Sequence, residues 1–170
     1  MLGGLEDIGS EFDGMTDSIV VGTGASGKAL DSLTASATEV GNSVPVSFEK
    51  AGGIVADFNT RMGLTGSTLT DVSKKTAALG EILGKDININ QLTGAMNAFG
   101  ISGKDVGKNM DYLFGVSQAT GIGFDQLTGI VKNAGPAMQS LGFSFKDTAC
   151  LLYTSPSPRD RTRSRMPSSA

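Results

Sequence analysis

The sequence predicts an all-α protein: consecutive short helices joined by capped turns that contain glycine, arranged as helical hairpins or a loose bundle, with no β-sheet. Apolar residues recur with a period near 3.6 in successive segments, and no segment alternates as a strand does. Motifs typical of helix starts precede several of these segments. Gly100, Gly121 and Gly142 precede three of the starts and are 21 residues apart.

The first 42 residues are a Gly-rich segment that we expect to be partly helical. Residues 2–15 contain four glycines and few apolar side chains. Ala29, Leu30, Leu33 and Ala37 have helical spacing and predict one helix. We expect the first 24 residues to be poorly packed in isolation.

Residues 43–149 are the predicted helical core, and their apolar side chains fall on one face of each helix. These positions are Ala51, Ile54, Val55, Phe58 and Met62; Leu69, Val72, Leu79, Ile82 and Leu83; Ile89, Leu92, Met96 and Phe99; Val106, Met110, Leu113 and Phe114; and Phe124, Leu127, Ile130 and Val131. Gly135-Pro136 predicts a break or kink before Met138 and Leu141 resume the last helix. Packing in the core is the expected role of Met62, Met96, Met110 and Met138.

Five helix starts place a short polar residue or glycine at the N-cap, between apolar residues that pack together. The predicted caps are Asn88, Ser102, Gly123, Ser144 and, more weakly, Thr65. The acidic side chains Asp105 and Asp147 fall in first turns, where the helix dipole favours them. We expect the preceding glycines to adopt the left-handed conformation that ends a helix.

Composition changes abruptly at Cys150. Residues 150–170 hold three of the five prolines and four of the 14 basic residues, but none of the 24 glycines. Reverse translation of residues 150–160 and 164–170 resembles a translated sequencing-library adapter. We therefore expect a non-native, disordered tail on a chain that was cut near Ala149. Residues 1–149 carry 10 basic and 16 acidic side chains.

Composition also excludes several chemistries. The chain has no His and a single Cys, which removes histidine acid–base chemistry, imidazole metal sites and internal disulfides. The acidic cluster Glu6, Asp7, Glu11, Asp13 and Asp17 lacks the spacing of a calcium loop. We expect no catalytic residue, metal or cofactor, no enzymatic activity and no sequence-specific nucleic-acid partner.

One motif favours a different function. Gly22, Gly24, Gly27 and Lys28 form a GxGxxG that also reads GxxxxGK, the pattern of a phosphate-binding loop. Ala29 stands where such a loop needs Ser or Thr for magnesium, and no convincing strand precedes the motif. A hinge of small residues between two helices is the favoured interpretation, and a nucleotide-binding module is the alternative.

Two stretches of this series resemble the core region of phage tail tape measure proteins. They are residues 44–75 and residues 92–149, and the clearest pieces are NTRMGLTG (59–66), NAFGI (97–101) and LGFSF (141–145). The resemblance covers roughly residues 30–149, so the chain is expected to be a fragment of a longer protein. The remaining alternative is a helical adaptor unrelated to phage.

The resemblance implies a structural role in a virion or prophage tail. Copies of a very long, mostly helical, coiled-coil-like protein would lie in the lumen of the tail tube after assembly in the host cytoplasm. They would set tail length, template assembly of the tube subunits and leave the tube during DNA ejection. Other copies, tail tube proteins and tail assembly proteins are the implied partners, and host-membrane contact would involve regions absent here. Narrow apolar stripes also lead us to expect marginal stability in isolation and self-association.

Overall fold

Eight α-helices follow one another in the computed structural model, which describes residues 2–154 and the side chains of residues 9–151. They are α1 (Leu2–Thr23), α2 (Gly27–Ser43), α3 (Phe48–Met62), α4 (Gly66–Leu83), α5 (Ile89–Ala98), α6 (Asp105–Thr120), α7 (Phe124–Ser140) and α8 (Phe145–Thr154). No strand occurs among the described residues, so the predicted all-α class is confirmed.

The helices form two rows, because each helix packs against its second neighbour along the chain. The odd row runs α1, α3, α5, α7, and the even row runs α2, α4, α6, α8. Individual hydrogen bonds show the same second-neighbour packing in the even row. The Thr70 hydroxyl donates to Ser36 Oγ at 3.0 Å, and Tyr112 donates to the Lys146 carbonyl at 3.4 Å. Both contacts join residues 34 apart, which is about the length of one helix pair.

One hydrophobic core runs between the rows. It extends along the chain from Met15 to Ala149, and its largest fully buried aromatic side chains are Phe58 and Phe124. Leu92, Met96, Met110 and Leu113 are also completely buried, as their places on the apolar stripes predict. The buried residues of α1 and α2 belong to the same cluster, and the division of the chain at residue 42 stays a prediction.

Helix α1 packs closely on α3, which corrects the expectation of poor packing in the first 24 residues. Met15 and Ile19 are completely buried. A Cβ on Gly52 of α3 would lie 2.8 Å from the Met15 carbonyl oxygen, and a Cβ on Gly22 would lie 2.9 Å from that of Ala56. The two backbones therefore approach at glycines. Helix α1 packs well with few apolar side chains because these glycines bring α1 and α3 close together.

Most predicted helix starts are confirmed. Asn88 caps α5 by accepting from the Gln91 N–H at 3.0 Å, and Gly123 is the N-cap of α7. At α8, Ser144 Oγ accepts from the Asp147 N–H while Asp147 accepts from the Ser144 N–H, both at 3.1 Å, which is a reciprocal capping box. Thr65 is the N-cap of α4 without a side-chain hydrogen bond.

The start of α6 differs from the prediction. Helix α6 begins at Asp105 with Lys104 as its N-cap, and no side chain caps it. Gly103 has φ +56°, and the N–H groups of Asp105 and Val106 donate to the carbonyls of Ser102 and Gly103. This tight turn satisfies the donors that the Ser102 hydroxyl was expected to serve, so the helix starts two residues later.

The predicted glycine stops are confirmed. Gly100, Gly121 and Gly142 have φ of +67°, +73° and +86°. After Gly100 and Gly142, the N–H groups of Ile101 and Phe143 donate at 3.0 Å to the carbonyls of Met96 and Met138, five residues back. These bonds define Schellman motifs, which close the last turn of a helix and redirect the chain.

Two predictions within helices need correction. Helix α7 runs without interruption through Pro136, so the predicted break is wrong, while a kink at Gly135-Pro136 stays a prediction. The preceding residue, Gly135, has no Cβ to clash with the proline ring, so the helical conformation is less disfavoured there than before most prolines. Ile82, placed on the α4 stripe, is 66% exposed because it lies in the last turn of that helix.

Helix α8 also crosses the predicted boundary at Cys150 and ends at Thr154, so residues 150–154 are helical rather than disordered. This segment has no Gly or Pro to stop the helix, and the first proline of the tail is Pro156. Residues 155–170 lie outside the described residues, and an adapter origin for residues 150–170 stays a prediction.

Candidate functional site

The glycine motif forms the turn between α1 and α2. Gly22 lies in the last turn of α1, Gly24 has φ +69°, and Gly27 begins α2 with φ +59°. The Gly24 N–H donates to the Val20 carbonyl at 2.8 Å, and the Ala25 N–H donates to Thr23 Oγ1 at 3.0 Å. Two of the N–H groups that would cradle a phosphate therefore already have partners within the turn.

The surroundings also differ from those of a phosphate-binding loop. Such a loop joins a strand to a helix, whereas here helix α1 precedes the motif. Gly22 instead packs against α3, where the Thr60 hydroxyl donates to its carbonyl at 2.9 Å. Lys28 lies exposed at the start of α2. The structure thus brings the four predicted residues together where α1 turns into α2, and the interpretation of this turn as a hinge stays a prediction.

The acidic residues of α1 do not converge on an ion site. Glu11, Asp13 and Asp17 are exposed, and Glu6 and Asp7 lie outside the described side chains. Among the side chains that the structure describes, no group of three or more His, Cys, Asp or Glu residues is placed to hold a metal ion. No described helix is long and apolar enough to cross a membrane.

Ion pairs connect the helices in the middle of the array. Lys50 of α3 lies 2.6 Å from Asp86 and 3.6 Å from Glu81, and Lys85 lies 3.0 Å from Asp125. In the even row, Lys74 pairs with Glu39 and Lys75 with Asp111. Exposed pairs of this kind contribute at most about 1 kcal/mol each. The main effect of these ion pairs is therefore to favour particular helices as neighbours.

Two of these groups have perturbed acid–base properties. The hydrogen bond to the Asp86 carboxylate raises the pKa of the Lys50 ammonium above its usual value, and desolvation only partly opposes this. At the other end of the array, burial raises the pKa of the Tyr112 phenol, whose ring lies 5.6 Å from the Lys146 ammonium. Both shifts keep these side chains in their usual protonation state near neutral pH.

Several charged side chains form no ion pair within the described part of the chain. No ion pair is formed by Glu11, Asp13 or Asp17 of α1 within the described part of the chain. Lys108 of α6 and Lys132 of α7 lack a carboxylate partner among the described side chains as well, and the Lys132 side chain lies beside Gly94 of α5. The described surface is therefore acidic at α1, and it carries unpaired lysines on α6 and α7.

Exposed apolar side chains also lie at the ends. Val20 and Val21 of α1 are 40% and 87% exposed, and Leu141 and Phe143, after α7, are 71% and 38% exposed. A cleft of about 350 Å³ opens beside Phe143. An apolar groove of about 340 Å³ lies between α6 and α8, lined by Tyr112, Gly115, Val116, Ala119 and Cys150. Exposed apolar surface of this kind is typical of sites that bind another protein.

This surface differs from the prediction, in which Ile130 and Leu141 lie on core stripes. In α7 the core positions are Phe124, Leu127, Val131 and Gly135. Ile130, Ala134, Ala137 and Leu141 form a second stripe at helical spacing, offset from the first. This offset between the two stripes is the feature of the sequence that indicates a second apolar face on α7.

Two rows of helices, in which each helix packs mainly against its neighbours, define an α-solenoid-like architecture. A family model described as phage-related minor tail protein matches residues 34–154, more than half of the chain. The chain therefore belongs to that family and is a phage tail protein, as the resemblance indicated. The match covers α3 to α8 and part of α2. No curated protein and no solved structure matches the chain.

Proposed function

We propose that this chain is a segment of a tape measure protein, which lies in the lumen of the phage tail tube and sets the length of the tail. The family match over residues 34–154 carries the proposal, because it assigns the chain to the phage tail. The resemblance of residues 44–75 and 92–149 to the tape measure core supports the specific role. Assembly in the host cytoplasm, contact with tube subunits and exit during DNA ejection belong to the same proposal.

The two-row architecture is compatible with a ruler. Each helix pair packs on the next with little contact beyond its neighbours, so adding a pair lengthens the array without altering the rest. A scaffold of this kind acts through its length and its surface, and we propose no catalytic residue or cofactor for it.

Tail length tests the proposal directly. In a phage that encodes this sequence, an in-frame duplication of the α4–α5 pair (residues 66–98) is expected to lengthen the tail. If the added residues form one extended helix, the tail is expected to be about 50 Å longer. If they fold into the rows seen here, the increase is about 10 Å, the spacing of packed helices.

Electron microscopy of purified virions measures the change. Deletion of the same residues is expected to shorten the tail by a matching amount, and the substitution Gly53→Ala is the control that leaves chain length unchanged. Tails of unaltered length in both the duplication and the deletion would contradict a tape measure role.

A further inference from the structure

Both rows of helices have their sparsest contact at the same level of the array. In the odd row, α5 packs on α3 less extensively than α3 packs on α1 or α7 on α5. In the even row, α6 packs on α4 less extensively than α4 packs on α2 or α8 on α6. The described helices therefore form two groups, which we name the N-terminal block (α1–α4) and the C-terminal block (α5–α8), and we call the contacts between them the joint.

The contact of α4 with α6 involves two neighbouring residues of α4. The Lys75 ammonium pairs with the Asp111 carboxylate, and a Cβ on Gly107 would lie 3.7 Å from the Lys75 Cδ. The Thr76 hydroxyl lies 3.6 Å from the Met110 sulfur. The ion pair is open to solvent, since the Lys75 and Asp111 side chains are 42% and 61% exposed, whereas Thr76 and Met110 are buried.

The chain crosses the joint through the segment between α4 and α5. Two contacts fix this linker to the N-terminal block: the Asp86 carboxylate lies 2.6 Å from the Lys50 ammonium, and the Lys85 N–H donates to the Gly80 carbonyl at 3.1 Å. The Lys85 ammonium lies 3.0 Å from the Asp125 carboxylate of α7. The pair of Lys85 with Asp125 therefore connects the linker to the C-terminal block.

Within each block, by contrast, helices meet at glycines. A Cβ on Gly52 of α3 would lie 2.8 Å from the Met15 carbonyl oxygen of α1, and a Cβ on Gly135 of α7 would lie 2.7 Å from that of Ala98 of α5. Close packing of this kind resists separation because many contacts are lost together. Exposed ion pairs contribute much less and are screened by salt. Sparse packing and exposed ion pairs therefore make the joint the place at which the array separates most easily.

We propose that the joint opens: the two blocks separate as units about the α4–α5 linker, each block keeps its own packing, and the ion pairs of Lys75 and Lys85 favour the closed arrangement. Opening exposes side chains that are buried between the blocks, such as Thr76. Because both ion pairs are partly exposed, higher salt weakens them and increases the open population. The inference rests on the packing of the fold, and it does not depend on the proposed role in tail length.

Two buried threonines of α4 provide matched reporters of opening. Thr76 contacts α6 across the joint, whereas the Thr70 hydroxyl donates to Ser36 Oγ of α2, within the N-terminal block. Thr76→Cys and Thr70→Cys each introduce a thiol of similar size into the full chain, which also carries Cys150→Ser so that the exposed Cys150 thiol is absent. Iodoacetamide alkylates a buried thiol only when the surrounding contact opens, and mass spectrometry measures the rate.

We expect the Thr76→Cys thiol to react about tenfold or more faster than the Thr70→Cys thiol, with each rate divided by that of the same variant unfolded in guanidinium chloride. Accessibility in the closed structure would give the reverse order, because Thr76 is 2% and Thr70 6% exposed. Added salt should accelerate the reaction at Thr76→Cys relative to that at Thr70→Cys.

Removal of single ion pairs distinguishes the joint from opening of the whole chain. Asp111→Asn and Asp125→Asn should each accelerate alkylation of Thr76→Cys by about two- to fivefold and leave Thr70→Cys unchanged. Glu39→Gln is the matched control, because it removes an exposed ion pair between α2 and α4, within the N-terminal block, and should not change the rate at Thr76→Cys.

Equal rates at the two thiols, or a faster reaction at Thr70→Cys, would overturn the proposal, because α4 would then become accessible only when the N-terminal block itself opens. Rates at Thr76→Cys that neither Asp111→Asn nor added salt increases, or that Glu39→Gln increases equally, would overturn it as well. Met110→Cys places the thiol on the α6 side of the same contact and replaces Thr76→Cys if far-ultraviolet circular dichroism shows that variant to be unfolded.

Discussion

At the scale of single residues, glycines determine which helices approach each other. Gly52 and Gly53 are neighbours in the same helix with opposite surroundings. A Cβ on Gly52 would meet the backbone and side chain of Met15, whereas a Cβ on Gly53 has nothing within 4 Å. The sequence shows two adjacent glycines but not which of them faces α1, so this difference required the structure.

The substitution Gly52→Ala is expected to destabilise the chain by about 1–3 kcal/mol, because the added methyl group forces α1 away from α3. Gly53→Ala should stabilise by up to about 1 kcal/mol through helix propensity alone. Urea unfolding followed by circular dichroism measures both variants. Equal effects of the two substitutions would contradict the close approach at Gly52.

At the scale of elements, helix ends were more predictable than helix partners. Asn88 and Ser144 cap their helices as predicted, because their spacing from Gln91 and Asp147 encodes a local hydrogen-bond pattern. Ser47, which accepts from the Lys50 N–H at 3.2 Å, was missed because a lysine stands where the motif has Glu or Gln. The cap predicted at Ser102 was wrong because the neighbouring Gly103 offers the backbone another turn.

The capping box of α8 predicts a specific pH dependence. Hydrogen bonds from the Ser144 hydroxyl and N–H lower the pKa of the Asp147 carboxyl below its usual 3.8. A lowered pKa in the folded state contributes stability above the unfolded-state value, and that contribution is lost as the pH falls through the folded-state value. We therefore expect Asp147→Asn to be less stable than the original chain at neutral pH.

The difference between the two proteins should shrink as the pH falls from the unfolded-state pKa of 3.8 through the lower folded-state pKa, below which Asp147 is protonated in both states. Chemical unfolding from pH 7 to pH 2.5 measures it, with Asp71→Asn, an exposed α4 site without an ion pair in the described residues, as the control. A difference that persists unchanged at the lowest pH would contradict the role of the carboxylate.

At the scale of the whole molecule, the sequence predicted the all-α class of the fold but not which helices pack against each other. The period of 3.6 and the glycine stops identify helices one by one. A stripe such as Leu92 and Met96 shows that one side of α5 is buried, but not that α3 and α7 cover it. The continuous core also buries more apolar side chains than the narrow stripes suggested. The marginal stability expected from those stripes stays a prediction.

Unequal packing along the rows predicts where the molecule opens first. The contact of α6 with α4 is the sparsest of those that build the two rows, whereas α1 packs extensively on α3. In native-state hydrogen exchange, amides of α6 and α8 should therefore exchange through a local opening of lower free energy than those of α3. Identical opening free energies in α3, α6 and α8 would show instead that the whole array opens as one unit.

The short reach of the contacts within each row also bears on how the chain is made. The hydrogen bonds and ion pairs described between helices join residues no more than about 40 apart, such as Lys85 and Asp125. A nascent helix therefore meets its first partners soon after it leaves the ribosome, and nothing requires it to wait for the carboxyl terminus. Folding can keep pace with translation however many residues are still to come.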